Sequence, residues 1–231
     1  LKMTKRGSDL PFVLPTTTSA ARARARRIDD ALAKAHPDAH CELQWQEPHE
    51  LLFATILSAQ CTDVAVNRAT VGLFAAFPEV NDYAQASPEA IGQHIQTIGL
   101  HRNKAKFLYR AAQQLMQDHQ GDVPQELEAL VALPGVARKT ANVVLGNAFG
   151  INVGVVVDTH VSRLSARFGL TTATTPLGIE KDLMALFPRE RWCMLSHRMI
   201  FHGRRVCKAR HGLCREDSIC RRYCSEAASV E

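Results

Sequence analysis

The chain has 231 residues, with 28 Lys+Arg against 23 Asp+Glu, a formal charge of +5 and a pI near 8.9. At 46% hydrophobic and 22% charged, its composition is that of an ordinary globular protein, which excludes a disordered or collagen-like chain; the length allows one large or two modest domains. No apolar run approaches the ~20 residues of a membrane helix, so no membrane partner is expected, while the small positive excess suits an anionic one.

Residues 1–18 form a Pro- and Ser/Thr-containing arm without periodicity, expected to be mobile. The arm lacks the apolar segment of a secretory signal, and Pro11 and Pro15 interrupt any amphipathic targeting helix. Together with the Ala/Arg-heavy composition, this points to a bacterial, cytoplasmic protein, nucleoid-associated if its partner is DNA.

From Ala20 onward the pattern is helical. An amphipathic helix is expected from Pro48. Ser87-Pro88-Glu89 reads as an N-cap, a proline at the first helical position and an acid in the first turn, opening a helix that should close at Gly99. Leu108, Ala111, Ala112 and Leu115 fall at helical spacing ahead of a stop at Gly121. Asp122 with Pro124 should begin a short helix running to about Ala132. Val153 to Val157 is a β-branched run between helices and reads as a buried loop. Thr175-Pro176 starts another helix, from Leu177 to Phe187. Alternating strand patterns and internal repeats are missing, so the fold class is all-α, with ten or so short helices.

The segment Leu130-Val131-Ala132-Leu133-Pro134-Gly135-Val136-Ala137-Arg138-Lys139-Thr140-Ala141-Asn142 joins two of these helices through a Pro-Gly turn. Leu133 and Val136 can plug the gap between the helices while the turn directs backbone N–H groups outward. Free N–H groups at a helix start bind anions, and a DNA phosphate is a natural occupant; read alone, the dipeptide is equally an ordinary helix–turn–helix connection. Lys139 lies at the start of the second helix beside Arg138, a setting that disfavours the ammonium and helps expose a nucleophilic amine. Asp158 follows the buried valine run and is the nearest candidate for an acid/base partner or for stabilising developing positive charge. Cys41, Cys61 and Cys193 stand alone. Cys207, Cys214, Cys220 and Cys224 lie within 18 residues, a clustered thiolate set suited to a [4Fe–4S] cluster or a structural zinc.

These segments together resemble the endonuclease III family of DNA glycosylases, of the helix–hairpin–helix, iron–sulfur type. Further matching blocks are Leu57-Ser58-Ala59-Gln60-Cys61-Thr62-Asp63, Thr97-Ile98-Gly99-Leu100 and Val157-Asp158-Thr159-His160, in the family's order. The resemblance implies a two-lobed architecture: a helical barrel over 41–151 with its hairpin at about 124–149, a second lobe from 19–40 plus 152–224 holding the cluster, and a tail at 225–231. It implies a bifunctional glycosylase and apurinic/apyrimidinic lyase of base excision repair, acting on oxidised or damaged pyrimidines in double-stranded DNA. Lys139 falls on the family's catalytic lysine and Asp158 on its aspartate, the two facing one another at a cleft between the lobes. Attack at C1′ requires the nucleotide to be flipped out. Gln60 and Leu100 occupy the family's positions for an amide facing the orphaned base and an apolar wedge. His101, Arg102 and Lys104 are available for flanking phosphates, Gly135 and Ala137 form the hairpin grip, and Thr140 and His160 support the two catalytic positions.

Two departures stand out. Ala137 replaces the hairpin's usual second glycine; if that position needs positive φ, alanine costs about 1–2 kcal/mol and weakens the grip. The family spaces its cysteines C-x6-C-x2-C-x5-C, whereas this chain has C-x6-C-x5-C-x3-C, with Asp217 at the expected third position. Cys220 and Cys224 must then serve through a rearranged loop, with His202 and His211 as weaker ligand candidates. The basic residues around the cysteines, Arg204, Arg205, Lys208, Arg210, Arg215, Arg221 and Arg222, would meet phosphates. Other readings are a mono-functional glycosylase for another lesion or mismatch, a non-catalytic damaged-DNA-binding protein, and a zinc-organised DNA-binding module. A monomer is expected, since no heptad or pairing surface is evident.

Overall fold

The computed structural model describes residues 12–210 and 212–228; the expectations for residues 1–11, His211 and 229–231 lie outside these. The described chain is helical without a strand, in agreement with the all-α class. It divides into two compact units, one of residues 41–151 and one combining the segment up to His40 with that from Asn152 onward.

In chain order the helices are α1 (Ser19–Ala35), α2 (Pro48–Leu57), α3 (Asp63–Ala76), α4 (Val80–Gln85), α5 (Pro88–His94), α6 (His101–His119), α7 (Leu127–Val131) and α8 (Arg138–Ala148). They are followed by α9 (Thr159–Arg167), α10 (Pro176–Leu186), a 3-10 turn at Arg189–Arg191, α11 (Trp192–Arg205), α12 (Ser218–Tyr223) and α13 (Ser225–Ala228). Capping chemistry explains many starts. Thr18, Thr62, Ser87 and Thr175 each accept a hydrogen bond from a first-turn backbone N–H, and proline opens α2, α5 and α10.

In the 41–151 unit, α2 is the hub. Its residues from Leu51 to Leu57 are all buried, so this helix is apolar on every side rather than amphipathic, enclosed by α3, α6 and α8. Two other boundaries differ from expectation. α5 ends at His94, because Ile95 and Ile98 turn into the core and tight turns replace the helical ladder before Gly99. α7 begins at Leu127, not Asp122, since the left-handed pair Gln120 and Gly121 reverses the chain and Val123 must reach the core before a helix restarts.

The second unit packs α1 against α10, α11 and α12. Fully buried Asp29 of α1 accepts from Arg191 at 2.8 Å and Arg198 at 2.9 Å, tying the amino-terminal helix to the carboxy-terminal half. The Val153 to Val157 run is irregular; Val155 to Val157 are buried, and the Val156 N–H donates to Ser196 Oγ. Where the amino-terminal arm is described it is docked rather than free. Phe12 and Leu14 pack on the core of this unit, and the Thr17 hydroxyl donates to the Ala185 carbonyl.

Candidate active site and metal centre

The hairpin is built on a glycine that nothing else can replace without strain. Gly135 has φ +80°, and a Cβ there would stand 2.9 Å from Phe107 Cβ on α6. The turn therefore lies directly on α6, with Leu133 and Val136 buried beneath it and the Val136 N–H closing onto the Leu133 carbonyl at 3.1 Å. Ala137 is extended, at φ −94° and ψ 168°. The position needs no glycine, so the expected backbone penalty is absent. Alanine also offers no capping side chain, so α8 starts without an N-cap side-chain hydrogen bond, at the end of the helix whose dipole favours an anion. Lys139 is exposed in that same turn, and Thr140 is half-buried behind it.

On the same unit, Gln60 and Leu100 are both exposed and both left-handed, at φ 58° and 60°. Leu100 caps α6 and leaves 62% of its surface open, while His101 is half-buried and Arg102 exposed. Lys104 differs from expectation. It is only 4% exposed, and its Nζ donates to the Leu57 carbonyl at 2.8 Å, the Ala59 carbonyl at 2.7 Å and Cys61 Sγ at 3.2 Å. It cannot serve a phosphate. Lys104 shares a helical stripe with Leu108, Ala111 and Leu115, all buried, a spacing that permits an inward side chain without requiring one.

In the second unit, Asp158 is the N-cap of α9, its Oδ1 accepting from the Val161 N–H at 2.8 Å. Half-buried His160 lies over Gly203 of α11, where a Cβ would stand 2.9 Å from its Nδ1. Arg163 contacts His160 at 3.2 Å and donates to the carbonyls of Gly203 and Cys207, both at 3.0 Å. Arg167 donates to Cys207 Sγ at 3.3 Å and to the Lys208 carbonyl at 2.9 Å. One helix thus carries Asp158 at its start and two arginines gripping the cysteine loop, Arg163 at its middle and Arg167 at its end.

The Sγ atoms of Cys207, Cys214, Cys220 and Cys224 all lie within 4.8 Å of one another and are buried. The altered spacing is absorbed by α12. Asp217, standing where the family has a cysteine, instead caps this helix by accepting from the Cys220 N–H at 2.8 Å, and Cys224 follows one turn after Cys220. The pKa pattern is that of thiols crowded on shared protons. Hydrogen bonding from Cys220, with help from Arg167, draws Cys207 down to about 5, whereas burial pushes Cys214 up to about 11. Acceptance of its proton by Cys207 raises Cys220. Holding all four sulfurs as thiolates this close together requires a cation, and an all-sulfur donor set suits a thiophilic metal centre. His202 Nε2 lies 3.3 Å from Cys220 Sγ, and the other ring nitrogen meets His36 at 3.0 Å, placing His202 outside the sulfur set as a supporting group. Arg205, expected at phosphates, is engaged by Asp38 through two bonds of 3.1 and 2.8 Å.

No helix among the described residues is long and apolar enough to cross a membrane. A profile of the family described as HhH-GPD superfamily base excision DNA repair protein matches residues 53–189. Endonuclease III of Synechocystis sp. is 50% identical over 198 residues, covering 86% of this chain and 90% of the relative. Endonuclease III of Bacillus subtilis is 44% identical over 196 residues, covering 83% and 89%. The solved structure of a trapped endonuclease III–DNA covalent intermediate superposes with a TM-score of 0.85 at 42% identity, over 92% of this chain and 98% of that one.

Proposed function

The chain belongs to the HhH-GPD superfamily of base excision DNA repair proteins, and from that premise we propose how its residues carry the reaction. It is a DNA glycosylase with apurinic/apyrimidinic lyase activity, of the endonuclease III type, and it binds DNA. The relatives reported are bacterial, and a cytoplasmic, nucleoid-associated monomer is the setting inferred for it.

The substrate is a damaged pyrimidine in duplex DNA. The Lys139 amine attacks C1′ of the flipped nucleotide, forming the C1′–Nζ bond as the glycosidic C1′–N bond breaks and the base leaves protonated. Ring opening gives an imine to Lys139; removal of a C2′ proton then expels the 3′ phosphate oxygen, and water frees the lysine. Asp158 stabilises positive charge at C1′ and exchanges protons with the amine. Gly135 and the start of α8, which has no side-chain cap at Ala137, hold a backbone phosphate near the lysine, with Thr140 beside it. Gln60 and Leu100 enter the space that the base vacates, with His101 at the flanking backbone and His160 supporting Asp158 from the first turn of α9.

The observation that carries this reading is the exposed Lys139 in the first turn of a helix whose anion-binding N–H groups have no side-chain cap. Cys207, Cys214, Cys220 and Cys224 would hold a [4Fe–4S] cluster, with zinc the lesser candidate. When bound, that group supplies structural order to the loop gripped by Arg163 and Arg167. Borohydride trapping on duplex DNA carrying an oxidised pyrimidine tests the amine chemistry. A covalent adduct is expected with the wild type and is lost in Lys139→Gln; no adduct on that lesion or on an abasic site overturns the bifunctional mechanism. A yellow-brown protein with iron and sulfide supports the cluster, and a colourless zinc protein replaces it.

A further inference from the structure

Two of the three non-glycine residues with positive φ among the described residues are Gln60 and Leu100. Each such backbone costs about 1–2 kcal/mol, and strained positions persist only where their surroundings over-determine them. Neither side chain is used in the core. Gln60 is exposed, and Leu100 shows 62% of its surface, so the strain aims both side chains outward from adjoining turns.

One residue reaches both turns. The backbone N–H of Lys104 donates to the Leu100 carbonyl at 3.0 Å, closing the first turn of α6 beneath the exposed leucine. Its Nζ spends all three donors on the other turn, on the Leu57 and Ala59 carbonyls and on Cys61 Sγ. Ala59 and Cys61 are the two neighbours of Gln60, so both sides of the left-handed residue are held by one group. Leu57 ends α2, where the helix dipole favours a cation. A lysine buried to 4% exposure is costly unless fully hydrogen-bonded, and here it is.

We propose that Lys104 is a positioning residue that clamps the Gln60 and Leu100 turns into one rigid two-pronged wedge, which sets how well the enzyme opens a base stack. The inference rests on the use of Gln60 and Leu100 to fill that stack. Lys104 touches no DNA; it acts by holding the spacing of the two tips.

The test is opening of the stack, read without chemistry. A duplex carrying a non-reactive tetrahydrofuran abasic analogue, with 2-aminopurine on the opposite strand, reports unstacking by fluorescence. Saturating wild-type protein is expected to raise the signal. Lys104→Met, measured below its own melting temperature, should lose most of that amplitude while still binding the duplex. Lys104→Arg, which keeps a cation and several donors, should recover part of it. Trapping rates give the second arm: Lys104→Met should fall by about tenfold on a paired lesion but far less on the same lesion in a one-nucleotide bulge, already outside the stack. Equal fluorescence for wild type and Lys104→Met, or equal losses on paired and bulged lesions, overturns the clamp. A wild type that traps no substrate yet unstacks the probe in a Lys104-dependent way overturns the lyase chemistry and leaves the clamp standing.

Discussion

Substituting Gly135 by alanine isolates the hairpin turn, and its cost can be worked from two terms. The left-handed backbone at φ +80° costs an L-residue about 1–2 kcal/mol. The added methyl group meets Phe107 Cβ at 2.9 Å and Cγ at 3.0 Å, with Ile56 Cγ2 at 3.4 Å, so α6 and the turn must part. Such overpacking costs about 1–3 kcal/mol, giving a total of about 2–5 kcal/mol. For a chain of this size about 2–4 °C of melting temperature accompanies each kcal/mol, so a fall of at least about 4 °C is expected by thermal unfolding. Because the displaced turn carries the phosphate grip, duplex affinity measured across a salt series should also weaken, its slope shrinking by about one if one phosphate contact is lost. Phe107→Ala in the same chain removes the Cγ contact at 3.0 Å but keeps the Cβ contact at 2.9 Å and the φ penalty, so the double variant should be only slightly less destabilised than the sum of the two. Ala137→Gly is the control: at φ −94° glycine relieves nothing, and both readouts should stay near wild type. A Gly135→Ala protein with unchanged melting and unchanged salt slope would refute the account of the turn.

Asp158 has a local duty besides its proposed chemistry, and two substitutions separate them. Asp158→Ala removes the α9 cap and should cost about 0.5–2 kcal/mol of stability, whereas Asp158→Asn caps equally well and should melt like the wild type while trapping falls about a hundredfold or more. Equal melting losses in the two variants would contradict the capping role. Truncating Asp29 to alanine removes the buried acceptor of Arg198 and leaves Arg191 with Asp30; as both guanidinium groups still reach solvent, a loss of about 1–3 kcal/mol in denaturant unfolding is expected, and no loss would show the pair of bridges to be idle. Burial, with a smaller contribution from His40, lowers His197 from 6.5 to about 4. The unfolded chain therefore binds the proton more readily, so this contribution is complete above about pH 6.5 and is lost as pH falls through about 4. Melting temperature followed over that range should decline, and His197→Phe should flatten the decline; an unchanged slope in the variant would assign it elsewhere.

Local chemistry made much of the chain legible before any coordinates. Ser87-Pro88 and Thr175-Pro176 announce helices because a hydroxyl cap and a proline act within one turn, and both helices start there. Pro134-Gly135 announces the hairpin for the same reason. Helix ends were harder to place. α5 stops at His94 because Ile95 and Ile98 gain more by entering the core than by continuing a helix, a competition that nothing within five residues reveals. The burial of α2 on every side likewise depends on neighbours distant in the chain.

The sequence by itself determined the all-helical class, the residue types at each candidate position and the family resemblance, since these depend on short-range pattern and on chemistry carried by single side chains. The tertiary structure decided the rest. It showed that Ala137 adopts an extended backbone, that Asp217 caps a helix which compensates for the displaced cysteines, and that the four sulfurs converge. It also turned Lys104 inward. A lysine at that spacing could equally meet solvent, and only the Leu57 and Ala59 carbonyls, brought to it across 47 and 45 residues of chain, make burial the lower-energy choice.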